Sequence, residues 1–207
     1  MNNVDLEKIE QQTFGESMID GIMEILLGIV LLSIPFIILR PYFVVFLVFF
    51  ILFGKPVIDS IRERVTYPRI GRVELRTEEE PVDVKRTILT FLLFVLGIII
   101  VTGTAMLIIE GEIFNLDLWY KWIPFAFGLL MFGPSLFLVE KTGKWYYYLF
   151  GGFSTLLGFL IAILDFPDRF AGISLFCLVL GVISLVIGII KYIRFIRKYP
   201  VIEMEGE

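Results

Sequence analysis

The sequence predicts an all-α fold: a polytopic membrane helix bundle of about six transmembrane helices with both termini cytoplasmic. Three observations predict it, namely the apolar composition, a series of long uncharged segments and a one-sided distribution of basic residues. Of the 207 residues, 57% are hydrophobic and 19% are charged. A soluble domain has about 45–50% apolar and about 25% charged residues, so a water-soluble fold could not bury the excess.

Four uncharged segments are long enough to cross a bilayer. About 20 apolar residues span the roughly 30 Å of hydrocarbon as a helix, and a helix satisfies its own backbone hydrogen bonds where lipid offers no partners. The segments contain 23, 18, 20 and 21 residues, in the order Thr87–Ile109, Trp122–Val139, Trp145–Leu164 and Phe170–Ile190. Each is therefore predicted to be a membrane-spanning helix.

The N-terminal third contains two shorter uncharged segments separated by Arg40. Ile25–Leu39 has 15 residues and Pro41–Gly54 has 14. Because proline disfavours continuation of a helix and restricts the residue before it, we predict a tight hairpin that turns somewhere in Ile34–Pro41. One long broken helix is the alternative, and it would leave five spans.

The distribution of lysine and arginine favours six spans and sets the predicted orientation. With six spans, 15 of the 18 basic residues share the side of both termini, and three, Arg40, Lys121 and Arg169, lie on the other side. Basic residues bias loops toward the cytoplasm. The sequence therefore predicts a multi-pass protein of the cell membrane with cytoplasmic N- and C-termini.

These observations define one predicted membrane domain, 1–207, with a cytoplasmic lead-in at 1–16 and a cytoplasmic tail at 191–207. The predicted spans are at about 17–34, 42–60, 87–109, 122–139, 145–164 and 170–190. A cytoplasmic loop covers 61–86, with a turn at 67–71, a short strand at 72–76 and a helix-capping box at 77–80. The start of this loop is the candidate interaction surface, formed by Arg62, Arg64, Tyr67, Arg69 and Arg72.

Two segments of the chain resemble each other. Gly21–Gly28 in the first span is similar to Gly151–Gly158 in the fifth, and a Tyr-Pro pair follows each hairpin, at Tyr67–Pro68 and Tyr199–Pro200. A repeat of two parallel hairpins is one interpretation. Chance similarity is the other, because glycine is frequent in membrane helices.

A wider resemblance is carried by an acidic N-terminal lead and three motifs. The motifs are Asp20–Gly28, Thr66–Gly71 and Phe195–Pro200. With them the chain resembles an uncharacterised family of small prokaryotic multi-pass integral membrane proteins. The resemblance implies a prokaryotic membrane protein and no known activity, so it assigns no functional residue.

Glu24 is the candidate functional acid, together with Asp20. With Glu16 they are spaced four residues apart and so share one helix face. A turn near Pro35 would put Glu24 close to mid-bilayer, whereas a turn near Arg40 would put it roughly 22–24 Å from the turn, near the cytoplasmic interface. The first case favours a coupling acid in a transporter, and the second favours an interfacial carboxylate paired with Arg62, Arg64 or Lys85, or hydrated.

The sequence lacks the residues that several classes of functional site require. The chain has no histidine and a single cysteine, Cys177, which excludes Ser–His dyads, haem histidine ligands and almost every structural zinc site. It also lacks a phosphate-binding glycine loop. No catalytic, cofactor or metal residues are therefore predicted, although a lipid-active enzyme with an unfamiliar site stays open. The net charge of -4 argues against nucleic acid as a partner.

The predicted function is that of a non-enzymatic membrane subunit or interaction partner. The lipid bilayer is the expected environment, and the expected protein contacts are a membrane-protein partner or a second copy of the chain. The alternative is a small transporter or permease that uses Glu24 as an intramembrane coupling acid. A polar cavity reaching Glu24 would favour transport, whereas a dry bundle would disfavour it.

Overall fold

The computed structural model describes residues 20–70 and 84–200, and all regular structure in these two ranges is helical. The elements are α1 (Ile22–Leu39), a short 3₁₀ turn (Pro41–Phe43), α2 (Val44–Val65), α3 (Tyr67–Ile70), α4 (Val84–Glu110), α5 (Leu116–Thr142), α6 (Tyr146–Ile163) and α7 (Ala171–Lys198). The predicted all-α helix bundle is confirmed. The predicted lead-in at 1–16, the strand at 72–76 and the capping box at 77–80 lie outside the described residues.

Five helices in the described ranges are long and apolar enough to cross a membrane. They are Ile22–Leu39, Leu89–Glu110, Leu116–Glu140, Tyr146–Ile163 and Ala171–Lys198. A sixth candidate is the pair Pro41–Phe50 and Leu52–Arg69, which meet at a bend of 48°. The length and apolar composition of these helices indicate a membrane protein.

The break between the first two helices lies at Arg40. This residue has an extended backbone, with φ −145° and ψ 99°, and its N–H still donates to the Phe36 carbonyl at 2.9 Å. Pro35 lies inside α1 without ending it, as proline often does in membrane helices. The helix stops where Pro41 follows, because the residue before a proline is driven from the helical region.

The bend in α2 has a local cause. Pro56 lies inside the helix, and its ring removes the hydrogen bond to the carbonyl four residues earlier, at Leu52. The bend falls at the same place, between Phe50 and Leu52. Proline is a usual origin of a sharp helix kink.

The chain divides into two compact units. Unit 1 consists of Met1–Glu74 with Cys177–Glu207, and unit 2 consists of Leu75–Phe176. Within the described ranges, α1, α2, α3 and most of α7 therefore belong to unit 1. Unit 2 contains α4, α5 and α6 together with the first residues of α7.

In unit 1, α1 and α7 pack with their backbones in contact. A methyl group added at Gly28 would lie 2.8 Å from Leu185, and one added at Gly188 would lie 2.6 Å from the Ile25 nitrogen. The helices are antiparallel, because the start of α1 meets the later part of α7. The contact residues are spaced seven apart, two helical turns, and are Gly21, Gly28, Gly181 and Gly188.

In unit 2, α5 and α6 also meet through small residues. The hydroxyls of Ser154 and Thr155 on α6 donate to the Gly128 carbonyl on α5 at 3.3 and 3.2 Å. Helix α4 joins them through a buried cluster on three helices, formed by Met106, Trp122, Phe125 and Ala162. Small residues at helix contacts and interhelical hydrogen bonds are the usual means of association in lipid.

The two similar sequence segments have the same packing role. Gly21 and Gly28 lie against α7, and Gly151 and Gly158 lie against α5. At each of these four positions an added methyl group would clash with the neighbouring helix. Both pairs have the seven-residue spacing and lie where two helices approach closely.

Candidate functional site

The candidate acids lie at one end of unit 1, where Asp20 precedes α1. The Asp20 side chain is fully buried. Its Oδ1 accepts a hydrogen bond from the Ile22 backbone N–H at 3.1 Å. Its Oδ2 accepts from Nε of Arg62 at 2.9 Å and from the Thr66 hydroxyl at 3.2 Å. Because a buried carboxylate is costly unless paired and hydrogen-bonded, these three donors are what allow Asp20 to stay inside.

The Asp20–Arg62 contact also settles how α1 and α2 run. Asp20 lies at the start of α1 and Arg62 near the end of α2, 42 residues later. With the break at Arg40 between them, the two helices form an antiparallel hairpin. The candidate loop residue Arg62 is therefore part of the packing that closes this hairpin.

Glu24 lies one turn after Asp20 and forms an ion pair with Lys191 of α7. The two side chains are 15% and 23% exposed. Glu24 is 16 residues before Arg40, about 24 Å along the helix. It therefore lies at the end of the helix far from the turn, the second of the two depths considered above.

The partner of Glu24 differs from those expected. Arg62 bonds to Asp20, Arg64 is exposed, and the side chain of Lys85 lies outside the described residues. The partner is instead Lys191, in the C-terminal part of α7. The glycine contacts decide the pairing, because they set the register in which the start of α1 meets the end of α7.

Arg69, a second candidate loop residue, holds the C-terminal end of α7. Its Nη1 donates to the carbonyls of Ile196 and Tyr199 at 3.4 and 2.8 Å. The last carbonyls of a helix have no partner within the helix, and a cation there is also favoured by the helix dipole. The predicted turn at 67–71 begins as the single helical turn α3 (Tyr67–Ile70), which places Arg69 for this contact.

Three candidate loop residues remain. Arg64 is exposed and Tyr67 is half-buried, whereas Arg72 lies outside the described residues. The sequence did not indicate Thr66, which completes the shell of Asp20. A threonine four residues after Arg62 was the available signal, since residues at i and i+4 share a helix face.

We call the contacts of Asp20 with Arg62 and Thr66, together with the ion pair of Glu24 and Lys191, the polar latch of unit 1. Its acids contact bases or hydroxyls, and the backbones of α1 and α7 touch on either side of Glu24. In the described ranges, no three Asp, Glu or Cys side chains gather as metal ligands would. This arrangement ties together α1, α2, α3 and α7.

Unit 2 has its own polar network, which is more exposed. Lys121 on α5 contacts Glu110 at the end of α4 and Asp165 after α6, each at 2.8 Å. Arg169 pairs with Asp117 at 3.0 Å, with side chains that are 64% and 62% exposed. These ion pairs connect the ends of neighbouring helices.

An apolar groove of about 380 Å³ lies between α5 and α6. The hydroxyl of Thr155 in its wall donates to backbone carbonyls of both helices. The groove therefore presents an almost entirely apolar surface. Its lining consists of Phe125, Leu129, Phe132, Gly152, Thr155, Leu156 and Phe159.

The chain matches no protein-family model, no curated protein and no solved structure. The resemblance to a prokaryotic membrane family stays a prediction.

We expect Asp20→Ala to destabilise the protein by about 3–5 kcal/mol, because it leaves Arg62 without the buried carboxylate it bonds to. Asp117→Ala is the matched control. It breaks the exposed pair with Arg169 and should cost at most about 1 kcal/mol. Unfolding in detergent by heat or denaturant measures both. Equal losses for the two variants would contradict the latch.

Proposed function

We propose that the chain is a non-enzymatic integral membrane protein that acts as a subunit or interaction partner in the bilayer. The observation that carries this proposal is a face of α4 that no described residue of unit 2 covers. Only 11% of the most apolar part of this helix is buried within the chain, compared with 39% for α7. Because lipid can cover any apolar face, low burial alone does not indicate a protein partner. The residues on this face are what distinguish a partner helix from lipid.

Three small residues line the outward face of α4 at seven-residue intervals: Thr90, Gly97 and Thr104. Thr90 and Thr104 are exposed, and a methyl added at Gly97 would meet nothing within 4 Å. Met106, nine residues from Gly97, lies on the opposite, buried side at about 100° per residue. We call Thr90, Gly97 and Thr104 the small-residue face of α4.

The same spacing serves helix contact elsewhere in this chain. Gly21 and Gly28 meet Gly188 and Gly181 at seven-residue spacing in unit 1. Such surfaces let another helix approach closely, which lipid chains do not require. We infer that the small-residue face of α4 packs against a helix of another membrane protein, with a second copy of this chain as the simplest partner.

The polar latch of unit 1 supports a packing role for the acids over transport. A coupling acid must meet water and change its protonation during transport. Glu24 contacts Lys191 where the glycines hold α1 and α7 together, and Asp20 is buried under Arg62 and Thr66. In this geometry both carboxylates hold neighbouring helices together.

Orientation is part of the proposal. The cell membrane with cytoplasmic termini is supported by the segregation of 15 basic residues against three. A prokaryotic source is supported by the sequence resemblance alone. No reaction is assigned to the protein.

Cysteine cross-linking tests the small-residue face. In a Cys177→Ala background, which removes the chain's single cysteine, we expect oxidation in native membranes to link Thr104→Cys into a dimer or to another protein. Leu160→Cys on α6 is the control. Leu160 is 53% exposed. It lies at a depth similar to that of Thr104, because Thr104 shortly precedes Glu110, Leu160 shortly precedes Asp165, and both acids contact Lys121. Equal cross-linking of both variants would indicate random collision and refute the interface.

A charge exchange tests the role of Glu24. Glu24→Gln should lower stability, because Lys191 loses its ion partner, and the exchange Glu24→Lys with Lys191→Glu should restore most of the loss. Thermal unfolding in detergent measures this. Proton leak into dye-loaded proteoliposomes should stay the same for all variants. A leak that needs Glu24 and is not restored by the exchange would favour transport.

Labelling of introduced cysteines tests the orientation. We expect an impermeant maleimide to label Phe114→Cys from outside intact cells and Lys198→Cys only after the membrane is opened, both in the Cys177→Ala background. Phe114 is 95% exposed, and Lys198 is exposed in the last turn of α7. The reverse pattern would overturn the predicted orientation.

A further inference from the structure

The C-terminal end of α7 carries an exposed basic surface. Arg194, Arg197 and Lys198 are exposed. Within residues 20–70 and 84–200, no carboxylate forms an ion pair with Arg194 or Arg197. Arg69 holds this end in place through the carbonyls of Ile196 and Tyr199.

These arginines continue the lipid-facing stripe of α7. The stripe follows helical spacing and has side chains that are 44–47% exposed, namely Val182, Val186, Ile190 and Ile193. Arg197 lies four residues after Ile193 and thus on the same face, and Arg194 lies beside it. The opposite face is buried at Phe195. Because the apolar stripe ends at Ile193, a bilayer that covers the stripe would bring its headgroups to the arginines.

We propose that Arg194 and Arg197 bind the phosphate of an anionic membrane lipid. A guanidinium presents paired N–H donors that match phosphate oxygens and keeps its charge at any physiological pH. Basic side chains at the end of a span attract anionic headgroups. A zwitterionic headgroup carries its own cation and would be held less well. This inference needs the membrane location of α7 and does not depend on the small-residue face of α4.

Two other sources of negative charge compete for this surface. One is inorganic phosphate, which shares the chemistry of the headgroup. The other is the chain itself, because Glu203, Glu205 and Glu207 follow α7 in the sequence. The acyl chains distinguish the lipid from both, since they would lie along Ile190 and Ile193.

The test uses the full-length protein in vesicles of phosphatidylcholine with a minor fraction of phosphatidylglycerol. After mild detergent extraction, retained lipid is counted by mass spectrometry of the intact protein. We expect the wild type to retain phosphatidylglycerol several-fold above its share in the vesicles. We expect Arg194→Gln with Arg197→Gln to reduce retention to that share.

Arg169→Gln is the control, because it removes another exposed arginine, in unit 2, and should leave retention unchanged. Thermal unfolding should be the same for the wild type and the double variant, which separates lost binding from lost structure. Retention should fall as salt rises.

Three results would overturn the proposal. The first is equal retention by the wild type and the double variant. The second is full displacement of the lipid by inorganic phosphate, which would indicate a simple anion site. The third is enrichment that appears only after Glu203, Glu205 and Glu207 are changed to glutamine, which would show that the chain's own tail occupies the arginines.

Discussion

The close approach of α1 and α7 is the constraint on which the rest of unit 1 depends. At Gly21, Gly28, Gly181 and Gly188 there is no room for even a methyl group. Gly21 also has a positive φ of 74°, which favours glycine at the residue where the chain enters α1. Once these backbones touch, the register of the two helices is fixed, and Lys191 lies beside Glu24.

That register has an electrostatic consequence. Buried charge is tolerated only with partners, and the contact of α1 with α7 brings a lysine to Glu24, while the hairpin brings Arg62 and Thr66 to Asp20. Unit 2 handles its charges differently, since Asp117 and Arg169 stay largely exposed. The acids that looked most suited to transport are therefore those most involved in holding helices together.

Two exposed surfaces underlie the proposed helix interface and the proposed lipid site. The small-residue face of α4 has the spacing that this protein uses for helix contact, and no described residue of unit 2 covers it. The arginines at the end of α7 continue the exposed apolar stripe of that helix. The first is suited to a protein helix and the second to an anionic lipid, because packing selects small residues whereas phosphate selects guanidinium groups.

Composition and hydropathy determined by themselves that the chain is helical and suited to a membrane, because the bilayer imposes the same length and polarity on every span. They also bounded the first turn, which lies at Arg40 within the interval 34–41. Proline content alone could not place it, since Pro35 stays inside α1 and only Pro41 ends it. Only the tertiary structure decided that Glu24 pairs with Lys191 and that Arg69 holds α7. These contacts join residues more than 120 positions apart, and the glycines that align them look like any other glycines in a membrane helix.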